Sequence, residues 1–346
     1  MKNQKNGKRV AFGLVLLMLI FALVIPVGAQ RERPVLTVGG IPFGVRFVTE
    51  GLLVVGYCDV ESGGEFHNPA RQAGLLPGDC ICRIGDRKIE DAAAFSSALQ
   101  EMGNGELEVC YRRDGVENCV KIKALACDKD GRWRVGLFVR DSGAGIGTVT
   151  FIREETGEFA GLGHGICDGE SGALIPLSRG CVMNVTVDGV TRGAVGAPGE
   201  LRGHFSTERI GTLRSNTHCG VYGVLSECPT TAAGKLPIAY RSEVHEGAAS
   251  VWCTLDDNVS REYSVTLSHI KRTERGNKCF TVKVTDEALL ARTGGIVQGM
   301  SGSPIIQDGR LVGAVTHVLI GDPTTGYGIF IENMLNAAEM PMAKAS

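Results

Sequence analysis

The chain has 346 residues and a formal net charge of −2, so no basic field speaks for a nucleic-acid partner. Its length leaves room for two or three domains, each burying its own core. Aromatic residues make up only 6% while Gly numbers 48, and Val, Ile and Thr recur in short runs; this composition calls for many short strands and turns with little helix.

At the N-terminus, Lys2, Lys5, Lys8 and Arg9 precede an apolar run from Val10 to Ile25, closed by Pro26. A basic head before an apolar run reads as a secretory signal or a signal-anchor. The run is slightly shorter than the about 20 residues of a spanning helix, and Val27-Gly28-Ala29 offers a cleavage site. The anchor is the preferred reading and a cleaved signal the alternative. Residues 1–29 then form a cytoplasmic head and membrane segment, residues 30–34 a linker, and the remainder is exported.

Export permits disulfides, and the chain holds 12 cysteines. They are scattered, with no zinc-like spacing, and neither a metal nor a cofactor is expected. If Asp114-Gly115 is a two-residue hairpin loop, Cys110 falls opposite Cys119 in a closely spaced pair, which would allow a disulfide. Otherwise most of the cysteines read as small buried hydrophobes.

In chain order, Pro42-Phe43-Gly44-Val45 leads to an apolar strand from Gly51 to Tyr57. The string Ala73-Gly74-Leu75-Leu76-Pro77-Gly78-Asp79, the alternating strand Cys80 to Ile84 and a Gly85-Asp86 turn come next. Residues 92–102 carry apolar positions at Ala94, Phe95, Ala98 and Leu99, which is helical spacing. Strands around Asp114-Gly115 complete a unit over residues 35–125 that resembles a PDZ domain. The resemblance implies that Pro42, Phe43, Gly44 and Val45 form a carboxylate-binding loop, where backbone N–H groups would hold a peptide C-terminus.

Beyond it, the sequence reads as a strand up to Ser142, a Gly-rich stretch Gly143 to Gly147, and a further strand to Ile152. Short strands and Gly turns then dominate to about Gly328, the pattern of an all-β barrel or sandwich. Glu332 to Glu339 reads as a brief closing helix. The chemistry centres on Gly299-Met300-Ser301-Gly302-Ser303-Pro304, which feeds a hairpin with a Gln307-Asp308-Gly309 turn. A serine between glycines displays a nucleophile and lets backbone N–H groups approach a reacting carbonyl. A second such string, at Gly169-Glu170-Ser171-Gly172, lacks this context.

A serine nucleophile needs a base and a group that orients the base. Among the seven histidines, His164 stands in a glycine-flanked loop, and His317 follows Ser301 on a strand where it would line a substrate pocket. His67, His204, His218, His245 and His269 have no such local cue. Asp286, at the end of an alternating strand, suits the orienting role, with Asp256 and Asp257 as alternatives. Asp168 reads as a turn cap.

Residues 137–335 are similar to the stage IV sporulation protein B family of serine endopeptidases. The strings that carry the likeness are Arg140-Asp141-Ser142 with Ala144 to Thr148, Gly161 to His164, Phe205 to Arg209, Val284 to Asp286, Thr293 to Ile306, Gly313 to Val318 and Asp322 to Gly328. The resemblance implies a PDZ domain followed by a chymotrypsin-like double β-barrel peptidase domain over residues 126–346. It also implies a triad of His164 as base, Asp286 as orienting acid and Ser301 as nucleophile. By analogy with that fold, Gly299 and Ser301 N–H would form the oxyanion hole. Further implications are export from the forespore, self-cleavage near the linker, and cutting of a membrane-bound regulator of an intramembrane protease. The alternatives are an envelope quality-control PDZ protease and a catalytically idle PDZ adaptor.

Overall fold

The computed structural model describes residues 33–339 except residue 170. The expected N-terminal anchor therefore lies outside the described residues, among which no helix is long and apolar enough to cross a membrane.

Two closed barrels and one smaller unit account for most of the described residues. The first barrel is a ring of antiparallel strands: β2 (Pro42–Tyr57) pairs with β6 (Leu137–Arg153), β6 with β7 (Glu158–Gly161), and β7 with β10 (Gly220–Leu225). From there β10 pairs with β9 (Glu200–Thr217), β9 with β8 (Leu177–Thr191), and β8 returns to β2. Closure leaves no open edge in the ring. A short strand, β1 (Val35–Val38), pairs with the far end of β6. The second barrel is β11 (Gly247–Thr254), β12 (Ser260–Ser268), β13 (Phe280–Val284), β16 (Asp322–Phe330), β15 (Arg310–Leu319) and β14 (Pro304–Gln307). Helix α4 (Ile331–Glu339) follows it and buries Ile331, Met334 and Leu335.

The Gly-rich stretch Gly143 to Gly147 does not separate two strands. It is the middle of β6, paired residue by residue with Phe47 to Phe43. Glycine is needed here because the barrel interior crowds the strand: a Cβ at Gly147 would lie 2.1 Å from Leu162 Cδ2.

The smaller unit has its own core, which includes Leu52, Val54, Leu75, Ile81, Phe95, Leu99, Leu107, Val109 and Ile122. Its sheet runs from β6 through the outer half of β2 to β3 (Cys80–Ile84), β4 (Glu106–Arg113) and β5 (Val116–Lys123). The Ala-Gly-Leu-Leu-Pro-Gly-Asp string is held by its last residue: buried Asp79 accepts from Leu76 N and from two nitrogens of Arg113, each at 2.7 Å. The short helix α1 (Pro69–Gln72) precedes it. Helix α2 (Ala92–Met102) starts where Asp91 accepts from Ala94 N at 2.7 Å and stops at Gly103. The helix and the hairpin of β4 and β5 stand where the sequence placed them. In that hairpin Arg113 faces Val116 and Cys110 faces Cys119. Cys110 and Cys119 form the disulfide that this register allowed, with Cα atoms 4.0 Å apart.

Three expectations need correction. The small unit does not begin at residue 35 or end at 125: β1 and the inner half of β2 belong to the first barrel, and the small unit's core also takes in Val135, Leu137 and Val139. It is an insertion between the first two barrel strands. Pro42, Phe43, Gly44 and Val45 form no loop. They sit in β2, all four paired with β6 and Gly44 and Val45 also with β8, and Phe43 and Val45 are buried, so this is a strand of the barrel wall and not an open loop for a carboxylate. Of the unpaired cysteines, only Cys80, Cys127, Cys253 and Cys279 are buried, and Cys167 and Cys228 are exposed.

Candidate active site

Ser301 sits on a turn at the start of β14, pressed against β6. Thr148 N donates to Ser301 O at 2.9 Å, Thr148 Oγ1 to Gly299 O at 2.8 Å, and Thr150 Oγ1 to Gly302 O at 2.8 Å. Gly302 has φ +95°, and a Cβ there would lie 2.0 Å from Thr148 O, so only glycine lets the turn dock this closely. Gly302 N and Ser303 N are engaged, with Val315 O and Met300 O. The N–H groups of Gly299 and Ser301 donate to no acceptor among the described residues, which leaves two donors beside the hydroxyl.

His164 follows β7, the third strand of the first barrel. Its loop packs on the nucleophile turn: a Cβ at Gly302 would meet Leu162 N, and one at Gly163 would meet Thr316 Cγ2. His164 Nδ1 lies 2.8 Å from Gly165 O. A carbonyl oxygen can only accept, so Nδ1 carries the proton of the neutral ring and Nε2 keeps the lone pair. Burial pushes the His164 pKa below the ordinary histidine value, and the Gly165 bond partly opposes it. A neutral ring with a bare Nε2 is what a general base requires. The labelling rate of Ser301 by a fluorophosphonate should therefore reach half its plateau below the ordinary histidine pKa of about 6.5. A half-maximal rate above the ordinary histidine pKa of about 6.5 would contradict this.

The His317 ring lies 4.8 Å from the His164 ring, and its Nδ1 is buried with no hydrogen-bond partner among the described residues. Burial first, then the neighbouring His164 and Lys278, pushes its pKa down to about 4. Near neutral pH it is an uncharged polar group beside the catalytic loop. Ser301 Oγ donates to Thr316 O at 2.8 Å and not to His164. The hydroxyl thus rests off the base.

Asp286 is not brought to His164. It is the N-cap of α3 (Glu287–Thr293), where Oδ1 accepts from Leu289 N at 3.0 Å and Oδ2 from Ser264 N at 3.3 Å. The strand-end position that made it look like an orienting acid is explained by capping. Asp286→Ala should cost about 1 kcal/mol of stability and change Ser301 labelling by less than about tenfold. Loss of an acid that sets the base's tautomer costs about 10⁴. Asp256 pairs with Arg292 and Asp257 with Arg261 at the surface. Asp168 caps its turn as expected, accepting from Ser171 N and Ser171 Oγ, so that serine is a turn residue. His204 and His245 pair with Asp188 and Asp308, both exposed.

Two groups that sequence reasoning missed hold the imidazole and the chain beside it. Gly165 O holds Nδ1, and Asn216 holds the chain beside it: its Oδ1 accepts from Ile166 N at 2.8 Å, and its Nδ2 donates to Ile166 O at 2.8 Å and Ile175 O at 2.9 Å. A backbone carbonyl leaves no mark in a sequence, and Asn216 lies 52 residues away in a run of strand residues. Asn216→Ala should slow Ser301 labelling by up to about 10²-fold through misplacement of the base, with the fold intact by circular dichroism. An unchanged rate would remove Asn216 from the site.

The sequence matches a family model described as SpoIVB peptidase S55 over residues 131–335, more than half of the chain. The chain belongs to the SpoIVB peptidase S55 family. It is a serine peptidase with a PDZ-like unit set into its first barrel. Among solved structures it is similar to the active form of the Rv3671c protease from M. tuberculosis. That likeness is 13% identical over 56% of this chain and 72% of the other, with a TM-score of 0.33. The inactive form of the same protease gives 12% identity over 55% and 81%, with a TM-score of 0.31. The PDZ domain of an SdrC-like protein from Listeria monocytogenes gives 21% identity over 26% of this chain and 87% of the other, with a TM-score of 0.22. No curated protein matches the chain.

Proposed function

We propose that this S55 peptidase is a membrane-tethered serine endopeptidase of sporulation, which cleaves itself near residues 30–34 and cuts a membrane-associated regulator of an intramembrane protease. The family match supports the sporulation setting, and the basic head before the apolar run supports the tether and export from the forespore. The observation that carries the chemistry is the Ser301 turn docked beside His164 with Gly299 and Ser301 N–H unoccupied.

In this reading His164 Nε2 takes the Ser301 Oγ proton as Oγ attacks the scissile carbonyl, and later gives it to the leaving amine. Gly299 and Ser301 N–H receive the oxyanion, each donor worth about 2.7–4 kcal/mol in the transition state. Gly165 O keeps Nδ1–H in place throughout. His317 lines the pocket beside the reacting centre, and its neutrality spares the imidazolium a like charge.

Sequencing of the mature N-terminus tests the self-cleavage. The wild type should start at or beyond the 30–34 linker, while Ser301→Ala keeps the longer form. The same N-terminus in both would end the proposal of self-cleavage.

A further inference from the structure

A basic loop borders the active site. Between β12 and β13 the run Lys271-Arg272-Thr273-Glu274-Arg275-Gly276-Asn277-Lys278 holds four cations and one carboxylate, in a chain whose net charge is −2. All four cationic residues are exposed. The carboxylate is committed to the loop itself: Glu274 Oε1 accepts from Gly276 N at 2.8 Å and from Arg275 N at 3.0 Å. Those N–H groups, with Lys271 nearby, hold its pKa below the ordinary value. Arg272 turns away to donate to Val244 O at 2.7 Å. Arg275 and Lys278 form no ion pair among the described residues.

Both barrels fix this loop beside the reacting centre. Thr316 accepts from Ser301 Oγ on its carbonyl and donates its own Oγ1 to Asn277 O at 2.8 Å. Asn277 Nδ2 donates to His218 O at 2.8 Å, on the turn between β9 and β10. The end of β9 in turn adjoins the base loop, since a Cβ at Gly165 would lie 2.7 Å from Thr217 O. Lys278 stands on the same face as the base. His317 of β15 and Tyr327 of β16 are paired, so their side chains project side by side. The His317 ring lies 4.8 Å from the His164 ring, and Lys278 Nζ lies 5.5 Å from the centre of the Tyr327 ring. The row of imidazole, imidazole, phenol and ammonium places Lys278 roughly 10–15 Å from the base. An extended peptide advances about 3.3 Å per residue, so the row matches about four residues of substrate.

We propose that this loop selects the substrate: Arg275 and Lys278 receive the carboxylate of an aspartate or glutamate within about four residues of the scissile bond. This rests on the endopeptidase reading of the Ser301 site. The two cations suit the task, because a guanidinium offers a carboxylate paired donors and an ammonium offers a mobile point charge. The Tyr327 ring steadies Lys278 and leaves its charge unneutralised. An acid that lands there displaces no existing partner. Pairs at an exposed rim add modest affinity and speed the encounter with acidic segments. A lysine or arginine at the same place on a substrate meets two like charges and is turned away. The pair is the same before and after attack on the carbonyl, so the gain falls on KM and not on kcat.

The test uses purified full-length protein and quenched fluorescent peptide pools, randomised at the centre and carrying glutamate, glutamine or lysine in both flanks. At about 0.1 M salt the glutamate pool should exceed the lysine pool in kcat/KM by about fivefold or more, through KM. The gap should close at about 1 M salt, where the screening length falls from about 10 Å to about 3 Å. The double variant Arg275→Glu with Lys278→Glu should invert the order of the pools. Each enzyme is compared with itself across pools, so partial misfolding cannot mimic the inversion. Equal cleavage of all pools by the wild type would overturn the selection and leave the endopeptidase reading intact. Equal cleavage with binding to phosphatidylglycerol vesicles that the double variant loses would give the loop to a membrane surface instead. A preference that survives in the double variant would overturn the assignment to this loop. Cleavage of no pool, with Ser301 still labelled by a fluorophosphonate, would overturn the endopeptidase reading and the selection with it.

Discussion

Replacing Ser301 with alanine should remove all fluorophosphonate labelling and lower peptide-bond cleavage by on the order of 10⁶, with the barrels intact. The size follows from the placement. Gly299 and Ser301 N–H, Thr148 and the docked turn all remain in the variant, so binding and oxyanion stabilisation persist and only the attacking oxygen is lost. The fold is spared because the Oγ makes one hydrogen bond, to Thr316 O, on a side chain that is partly exposed. A cleavage rate within tenfold of wild type would mean that another group attacks.

Replacing His164 with alanine should slow labelling by on the order of 10⁴, the upper range for loss of a positioned general base. No neighbour substitutes. His317 is the nearest imidazole, but its pKa of about 4 makes it a weak base, and His317→Ala should leave most of the rate. The contrast with Asp286→Ala carries the mechanistic content, because the Asp286 carboxylate accepts from Leu289 N and Ser264 N while His164 Nδ1 is bonded to Gly165 O. A loss at Asp286 as large as that at His164 would show that Gly165 O is not the orienting group.

Much of the fold was legible because it rests on local rules. The helix over residues 92–102 follows from apolar spacing with Asp91 and Gly103 at its ends, and the Cys110–Cys119 pair from the register that Asp114-Gly115 imposes. Ser301 was readable from its glycines and the hairpin that follows. What escaped depends on pairing between distant residues. Pro42 to Val45 look like a loop until Thr148 to Gly145 are found beside them, and Met183 and Val182 on the other side of Gly44 and Val45. The Gly-rich run of β6 reads as a break between two strands until Phe47 and Leu162 are seen to fill the space its side chains would need. Asp286 shows the limit of order along the chain: a His, Asp, Ser sequence is satisfied by a helix cap as well as by a triad member.

The most direct measurement is mass mapping of the fluorophosphonate adduct on the full-length protein. The adduct should fall on Ser301 alone, disappear in Ser301→Ala and fade about 10⁴-fold in His164→Ala. An adduct on Ser171, or labelling of Ser301 that His164→Ala leaves unchanged, would contradict the site.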